Sequence, residues 1–334
     1  MTQKELRVGV AGTGMISLYH LRAWQEVDGA HVVAVCDIDE SKAAERAKEF
    51  GIDGVYTDVE QMLDECDLDA IDIAAAVDAH APLTRAAAER GVHVICQKPL
   101  TRTVAEAKAL IADVGERVRF MVHENYRFRP HYMTVREWIA AGKIGKPRHA
   151  QMSVRCSGLV SLHGETPWLI NRQPYLTDFD RNIVFETMIH HLDVMRLLFG
   201  PLEVRAAHLG WLNGNLKGED TASIVLEGQD GFIAVADGCL VAPGYPPLPS
   251  DRFEVIGTTA TLIMDYDRIF LVGQEQDAVQ VDLVGRYQEC FSHATRQFVD
   301  GIHSGEPFET DRLDNLQTLE LMEACYKAAG VSVS

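Results

Sequence analysis

The sequence predicts an α/β Rossmann dinucleotide-binding domain followed by an α+β domain with a large, mostly antiparallel open sheet. Strands alternate with helices in the first third of the chain, the order that builds a parallel sheet. A glycine-rich turn joins the first strand to the first helix. From about residue 149 onward strands dominate, so the second part has a different architecture.

Short apolar runs in the first third predict buried strands, and amphipathic segments between them predict helices. These βαβ units favour a parallel sheet whose ligands bind at the carboxyl ends of the strands. The predicted strands cover residues 7–11, 32–36, 71–75 and 92–96, and the predicted helices cover residues 16–26, 40–50 and 82–90.

The second part is predicted to begin near residue 125, with turn sequences at 228–231 and 257–259 that are typical of hairpins. We therefore divide the chain into two domains, 1–124 and 125–334. The predicted strands are 149–156, 203–211, 221–226, 232–239, 252–256, 260–265, 268–272 and 279–283, and helices are predicted at about 130–142, 186–199, 287–303 and 312–329.

Composition narrows the classes of partner. The chain has 334 residues, a formal net charge of −18 and a pI near 5.1. This acidity argues against nucleic acid or an anionic membrane as a partner. The seven cysteines form no Cys-x-x-Cys pair, so neither a zinc site nor a disulfide framework is indicated. With no apolar signal-peptide core, we expect a reduced, cytoplasmic protein with no metal.

The turn after the first strand reads Gly12-Thr13-Gly14-Met15-Ile16-Ser17, a G-x-G-x-x-G fingerprint with serine at the third position. Gly12 permits the tight turn, and Gly14 lets the backbone approach a pyrophosphate at the helix N-terminus. The third position governs packing, which a small serine tolerates. By itself the motif is also compatible with an ordinary glycine-rich turn.

Asp37 follows the second strand, 23 residues after Gly14. An acidic residue at this spacing binds the adenosine ribose hydroxyls of NAD. No arginine follows Ile38 to receive a 2′-phosphate, so NAD is favoured over NADP. The alternative for Asp37 is a solvated turn or helix cap.

Lys98 stands at the carboxyl end of the strand 92–96, and Pro99 then stops the strand. A lysine in that position can act as a charge partner or a proton donor. A surface lysine in a loop is the alternative.

A polar stripe follows the helix predicted at 186–199. At about 100° per residue, Glu186, His190 and Asp193 share one face, where neighbouring carboxylates suit a histidine that acts as a general base. The alternatives are a solvent-facing stripe and a metal site that includes His191. His191 is predicted to point toward Thr187 in a structural role, and adjacent histidines diverge on a helix, which disfavours the metal site.

These motifs, in this order, resemble the Gfo/Idh/MocA family of oxidoreductases over essentially the whole chain. The most specific segments are residues 91–100, which contain Gln97-Lys98-Pro99, and residues 190–200, which begin with His190. The resemblance implies NAD or NADP as cofactor, oxidation or reduction of a sugar or cyclitol hydroxyl, and a homodimer or homotetramer formed through the open sheet.

The resemblance also implies residue roles. Lys98 matches the lysine that approaches substrate and nicotinamide, His190 matches the acid/base histidine, and Glu186 occupies an acidic relay position. The expected cofactor-binding residues are Gly12, Gly14, Met15, Ile16, Asp37, Ile38, Ala75, Val77, His80, Gln97, Lys98 and Asn125. The expected substrate-binding residues are Lys98, Arg127, Trp168, Asn171, Glu186 and His190, and Arg172 and Tyr175 in the same segment are further candidates.

Three positions depart from the family pattern. Gln97 replaces a glutamate and so removes a negative charge beside Lys98, although an amide still hydrogen-bonds a ribose. Glu186 is one methylene longer than the usual aspartate. Ala76-Val77 replaces a Thr-Pro pair.

We expect hydride transfer, with His190 accepting the hydroxyl proton and Lys98 stabilising the charge that develops on the oxygen. Two other functions stay open. One is an NAD-dependent glycosidase of the same fold, and the other is a non-catalytic NAD-binding regulator.

Overall fold

The structure is a computed structural model that describes residues 4–161 and 164–332. Six parallel strands form the first sheet, in the order β3-β2-β1-β4-β5-β6. This is the doubly wound order, with its topological switch point between β1 and β4. It confirms the predicted Rossmann fold. The strands are β1 (Leu6–Ala11), β2 (Ala30–Cys36), β3 (Gly54–Tyr56), β4 (Ala70–Ile73), β5 (His93–Gln97) and β6 (Phe120–His123).

Five helices connect these strands, and local capping explains where some of them start. Asp39 caps the second helix by accepting from the amides of Ser41 and Lys42, and Thr103 and Glu106 form a capping box at the fifth. The helices are α1 (Ser17–Glu26), α2 (Glu40–Phe50), α3 (Val59–Glu65), α4 (Val77–Glu89) and α5 (Val104–Val114).

The fourth helix was predicted to start at Pro82 but starts five residues earlier, at Val77. A proline is preferred at a helix start because its missing N–H costs nothing there. Here Pro82 lies inside α4 instead, and the helix continues although the proline has no N–H to donate a backbone hydrogen bond.

The second sheet has eight strands in the order β14-β13-β12-β11-β7-β10-β9-β8. Only the β7–β10 pairing is parallel among the described pairs, so the predicted, mostly antiparallel sheet is confirmed. The strands are β7 (Pro147–Arg155), β8 (Glu203–Gly210), β9 (Thr221–Glu227), β10 (Ile233–Cys239), β11 (Ser250–Gly257), β12 (Thr261–Asp265), β13 (Arg268–Leu271) and β14 (Val279–Gln280).

One face of this sheet is buried and the other is open. Along β7, Ala150, Met152 and Val154 are fully buried, and the alternating residues, such as Gln151 and Ser153, are at least partly exposed. This period of two is what a half-buried strand requires. The remaining helices of the chain are α6 (Pro130–Ala140), α7 (Trp168–Arg172), α8 (Ile189–Phe199), α9 (Tyr287–Ser304) and α10 (Arg312–Ala328).

The chain divides into two compact units, residues 1–128 with 285–319, and residues 129–284 with 320–334. This differs from the sequence division at 124/125, because α9 packs on α1 through its apolar face. The ring of Phe291 stacks on Tyr19 with 5.0 Å between centroids. Within the described residues, no helix combines the length and hydropathy needed to cross a membrane.

Candidate active site

The carboxyl edge of the first sheet brings together the residues that the sequence predicts for cofactor binding. Gly12 follows β1, Asp37 follows β2, Ala75 follows β4, Lys98 follows β5 and Asn125 follows β6. Because the strands are parallel, their carboxyl ends lie at one edge. The other predicted residues on these loops are Met15 and Ile16 at the start of α1, Ile38 before α2, and Val77 and His80 in α4.

The glycine-rich turn has the shape that a pyrophosphate needs. Gly12 has a φ of +95°, and a Cβ there would lie 2.6 Å from the backbone of Ala74 and Ala75. By contrast, a Cβ on Gly14 would meet nothing within 4 Å. The buried Ser17 hydroxyl donates to the Gly14 carbonyl at 2.6 Å. Open space therefore lies above Gly14, at the N-terminus of a ten-residue helix.

The carboxylate of Asp37 is held in place by its neighbours. Its Oδ2 accepts from the amide of Thr13 at 2.7 Å and from the Thr13 hydroxyl at 3.0 Å. Its Oδ1 accepts from the amide of Asp39 at 3.0 Å. A carboxylate has about four lone-pair sites, so Oδ1 keeps one for a ribose hydroxyl. Together with the glycine turn, these residues fit a dinucleotide.

Lys98 is half-buried, and the side chain of Gln97 next to it turns inward. The Gln97 Oε1 accepts from the backbone amide of Lys98 at 2.7 Å, and its Nε2 lies 3.1 Å from Nε2 of the buried His20. The His20 ring in turn contacts the carboxylate of Asp72. Sequence reasoning missed this network.

His80 joins the loops after β4 and β5. Its Nδ1 lies 2.8 Å from the Pro99 carbonyl oxygen and its Nε2 lies 3.1 Å from the Ala75 carbonyl oxygen. Burial lowers the pKa of His80, although these carbonyls oppose the shift. A neutral ring has one N–H, so one of the two carbonyls receives a hydrogen bond.

Asn125 and Arg127 are buried and bonded within the first unit. The Asn125 amide donates to Sγ of Cys290 at 3.1 Å. The Arg127 guanidinium donates to the Glu309 carbonyl at 2.8 Å and forms an ion pair with Asp314. These contacts give Arg127 a structural role, and its substrate contact stays a prediction.

In the second unit, a π-helical segment (Ile183–Met188) leads directly into α8. Glu186 lies in this segment, whereas His190 and Asp193 lie on α8. The 100° spacing used for the polar stripe therefore does not hold between Glu186 and His190, since a π-helix closes over five residues. His190 is 7% exposed and Asp193 is fully buried, so the stripe does not face solvent.

A buried carboxylate anchors the start of the π-helical segment. The Oε1 of Glu219 accepts from the amide of Val184 at 3.1 Å and from the hydroxyl of Tyr326 at 2.6 Å. The Ile183 amide donates to the Glu219 carbonyl at 3.0 Å. Burial raises the pKa of Glu219 despite these hydrogen bonds. A π-bulge held this firmly is typical of a functional site.

His191 lies toward Thr187, as predicted, with its Nδ1 3.1 Å from the Thr187 carbonyl oxygen. Its Nε2 lies 3.1 Å from Asp251, which also accepts from the Tyr132 hydroxyl at 2.8 Å. Burial alone would raise the pKa of Asp251, but His191 and Arg129 hold it well below its usual range. The contact between His191 and Asp251 therefore links α8 to β11.

The segment before the π-helix presents aromatic and polar side chains. Trp168 is 40% exposed, with the Arg172 guanidinium 5.3 Å from its ring centre. Asn171 donates to the Thr166 carbonyl at 3.3 Å. Partial burial raises the pKa of Tyr175, and the nearby carboxylate of Glu186 raises it further. Across 4–161 and 164–332, no group of three acidic, histidine or cysteine side chains is arranged to hold a metal ion.

Comparisons with known proteins cover both parts of the chain. Residues 6–124 match the oxidoreductase family with an NAD-binding Rossmann fold, and residues 132–263 match the GFO/IDH/MocA C-terminal domain. D-apiose dehydrogenase of Paraburkholderia graminis is 32% identical, with 98% of this chain and 88% of the relative covered. Myo-inositol 2-dehydrogenase of Thermotoga maritima is 25% identical, with 97% and 96% covered.

A solved structure agrees with these matches. An oxidoreductase from Agrobacterium radiobacter, in complex with NAD+, L-tartaric acid and magnesium, superimposes with a TM-score of 0.89 at 28% identity and covers 98% of this chain and 97% of its own. These matches agree with the strand order of the first sheet and with the glycine turn and Asp37. The chain belongs to the Gfo/Idh/MocA family of NAD-binding oxidoreductases.

Proposed function

We propose that the protein is a dehydrogenase that uses NAD to oxidise a hydroxyl of a sugar or cyclitol. The observation that carries this proposal is the convergence of the glycine turn, Asp37 and Lys98 on one edge of the first sheet. Two relatives, 32% and 30% identical, are D-apiose dehydrogenases. A pentose is therefore our first choice of substrate, followed by inositols.

Bound NAD would supply the hydride acceptor. His190 accepts the proton of the reacting hydroxyl, and Lys98 donates a hydrogen bond to the same oxygen as its negative charge develops. Glu186 orients His190. Lys98 and His190 lie in different compact units. The position at the end of β5 supports the role of Lys98, and the anchored π-helical segment and α8 support that of His190.

We assign substrate contacts to the segment around α7. The exposed indole of Trp168 offers an apolar surface for a sugar ring, and Asn171 and Arg172 offer hydrogen-bond donors beside it. Carbohydrate sites combine these two kinds of group, because a sugar presents both C–H faces and hydroxyls.

The test is an NADH-release assay with D-apiose, other aldoses, inositols and aldonolactones. Lys98→Ala and His190→Ala should each lower turnover by about a hundredfold or more, the usual cost of losing an acid–base or charge-stabilising group. The matched controls are the exposed Lys108→Ala and His293→Ala, which should leave turnover unchanged. Normal turnover by Lys98→Ala would overturn its role, and release of sugar from aryl glycosides without net NADH would favour a glycosidase.

We further propose that two or four copies associate through the open face of the second sheet. Ile233 and Ile256 on this face are 47% and 38% exposed, and Val225 and Val235 beside them are half-buried. Light scattering should give a homo-oligomer, and the double variant Ile233→Glu/Ile256→Glu should shift it toward monomer. A monomeric native protein would contradict this assembly.

We place the protein in the cytoplasm. Its seven cysteines are free thiols, the state that a reducing compartment maintains. Cell fractionation with an antibody to the protein tests this location, and recovery with the periplasmic fraction would refute it.

A further inference from the structure

A buried hydrogen-bond network runs from β4 to the backbone of Lys98. Asp72 is fully buried, and its carboxylate lies 2.9 Å from Nδ1 of His20 and accepts from the indole N–H of Trp24 at 2.7 Å. The Nε2 of His20 lies 3.1 Å from the Gln97 amide nitrogen, and the Gln97 oxygen accepts from the Lys98 amide at 2.7 Å. Three elements of the first unit, β4, α1 and β5, are therefore linked to the backbone of the residue that follows β5.

The donors and acceptors fix the direction of every bond in this network. The Lys98 N–H is a donor only, so the Gln97 side chain must present its oxygen to Lys98 and its NH2 group to His20. The Nε2 of His20 must then accept, and the ring proton must reside on Nδ1, where it is donated to Asp72. With a neutral imidazole at His20, each hydrogen bond among Asp72, His20 and Gln97 has one donor and one acceptor.

We propose that His20 and Asp72 are positioning residues for Lys98, acting through Gln97, and that the amide at position 97 selects the neutral Nδ1–H form of His20. This inference rests on the proposed role of Lys98 in the reaction. It assigns a function to three buried polar side chains, and unsatisfied polar groups are costly where water is excluded.

The choice of glutamine over glutamate decides the charge of the network. A glutamate at 97 would still accept from the Lys98 amide, but its second oxygen would face the lone pair of His20 Nε2. That contact becomes favourable only if His20 takes up a second proton. The titratable groups near the ring are Asp72, His123, whose tilted ring lies 4.2 Å away between centroids, and the Cys96 thiol beside Asp72. Helix α9 contributes the apolar ring of Phe291.

The first test is independent of catalysis. In protein labelled with ¹⁵N-histidine, the His20 ring should report a protonated Nδ1 and an unprotonated Nε2 at neutral pH. Gln97→Glu should convert it to the doubly protonated form. A doubly protonated ring in the native protein, or the same ring state in Gln97→Glu, would overturn the proposal.

The second test separates positioning from cofactor binding. Gln97→Met keeps the length of the side chain but removes both hydrogen bonds, and it should lower kcat by about tenfold to a hundredfold, the cost of misplacing a reacting group. NAD binding is measured in His20→Phe, because no cofactor contact is assigned to His20; there the dissociation constant of NAD should stay within about threefold, since a positioning defect acts on the reaction rather than on binding. An equal loss in binding and turnover would indicate a general structural defect and refute the proposal.

Conservative replacement gives a rescue and a control. His20→Gln keeps one donor for Asp72 and one acceptor for Gln97, so it should retain more kcat than His20→Phe, and equal losses in the two variants would refute the proposal. His93→Gln changes a histidine at the opposite end of β5, which accepts from the Arg119 amide at 3.2 Å, and should leave kcat unchanged.

The pH profile distinguishes Gln97→Glu from the native protein. The network with glutamate requires one proton more than the native network, so kcat of the variant relative to the native protein should fall as the pH rises. A ratio that is flat with pH contradicts the proposal. Because Lys98→Ala measures the catalytic role itself, an active Lys98→Ala with the expected His20 ring states would reject the proposed role of Lys98 and leave the hydrogen-bond network intact.

Discussion

At the residue scale, Gly12 and Gly14 are glycines for different physical reasons. A methyl group on Gly12 would collide with the backbone of Ala74 and Ala75 at a positive φ, whereas one on Gly14 would enter open space. We expect Gly12→Ala to lower the free energy of unfolding by roughly 1–3 kcal/mol. Gly14→Ala should change it by less than about 0.5 kcal/mol.

The substitution at Gly14, which should leave stability nearly unchanged, should weaken NAD binding. The added methyl of Gly14→Ala occupies the space assigned to the pyrophosphate, so the dissociation constant of NAD should rise roughly tenfold, the equivalent of about 1.4 kcal/mol of overpacking. Urea unfolding and calorimetric titration measure the two quantities. Unchanged NAD binding by Gly14→Ala would place the pyrophosphate elsewhere.

Asp37 should decide the preference for NAD. Asp37→Ser removes a charged acceptor worth about 1.5–3 kcal/mol in a hydrogen bond, so KM for NAD should rise about tenfold to a hundredfold. NADP should be affected less, because the change also removes a negative charge from the region of its 2′-phosphate. Asp39→Ser is the control, since a serine caps α2 equally well, and it should leave the NAD/NADP ratio unchanged.

At the scale of the elements, Glu219 makes the start of the π-helical segment sensitive to pH. Because burial raises its pKa above the ordinary value of 4.5, the folded state holds its proton more tightly than the unfolded state. The contribution of Glu219 to stability is therefore complete below the ordinary pKa and is lost as the pH rises through the raised one. Glu219→Gln keeps the acceptor for Val184 without this dependence.

Urea unfolding of the native protein and Glu219→Gln between about pH 4 and pH 8 measures this effect. The stability of the native protein relative to the variant should fall as the pH rises. A difference that grows with pH would mean that Glu219 is stabilised as a carboxylate.

Asp251 should show the opposite dependence on pH. Its pKa is held well below the usual range, so its stabilisation is present above the unfolded value of about 3.9 and is lost as the pH falls through the lower, folded one. Asp251→Asn leaves His191 and Arg129 without their buried carboxylate, which should cost about 3–5 kcal/mol at neutral pH. The half-exposed Glu254→Gln on the same strand is the control. If the difference in free energy of unfolding between Asp251→Asn and the native protein does not shrink as the pH falls, the assignment is wrong.

The elements themselves differed in how well the sequence predicted them. Residues 94–96 and 233–236 are continuous apolar runs, and the strands that contain them follow the prediction within one residue or so. Four elements of the first unit, β3, α3, α5 and β6, have no counterpart in the sequence prediction. For α5, the Thr103-x-x-Glu106 capping box was a usable signal. The π-helical segment escaped detection because a single assumed period of 3.6 residues cannot reveal it.

The candidate site was predictable only where it is local in sequence. The glycine turn, Asp37 and Lys98 could be predicted as site residues because each follows a strand. The His20–Asp72 pair was missed because the two residues are 52 positions apart. A charged residue inside the apolar run Ile71-Asp72-Ile73 was the available signal, since a buried carboxylate requires a partner.

At the scale of the whole molecule, the first unit depends on a distant part of the chain. Phe291 on α9 is 1% exposed and contacts the rings of Tyr19, His20 and His123 at 5.0–5.5 Å. Phe291→Ala should cost about 3–5 kcal/mol, measured as lost hydrogen-exchange protection in β1 and β4. Phe270→Ala, half-buried on β13, should leave that protection unchanged.

The division of the first unit between 1–128 and 285–319 has a consequence for biosynthesis. The ribosome translates residues 129–284 after β6 and before α9. Synthesis of this stretch takes roughly 10 to 30 s at ordinary elongation rates. During that interval the apolar side of α1 has no cover from α9. The nascent first unit therefore exposes this side of α1 until α9 emerges, and destabilising substitutions in α1 should lower the yield of folded protein more than equal ones in β11.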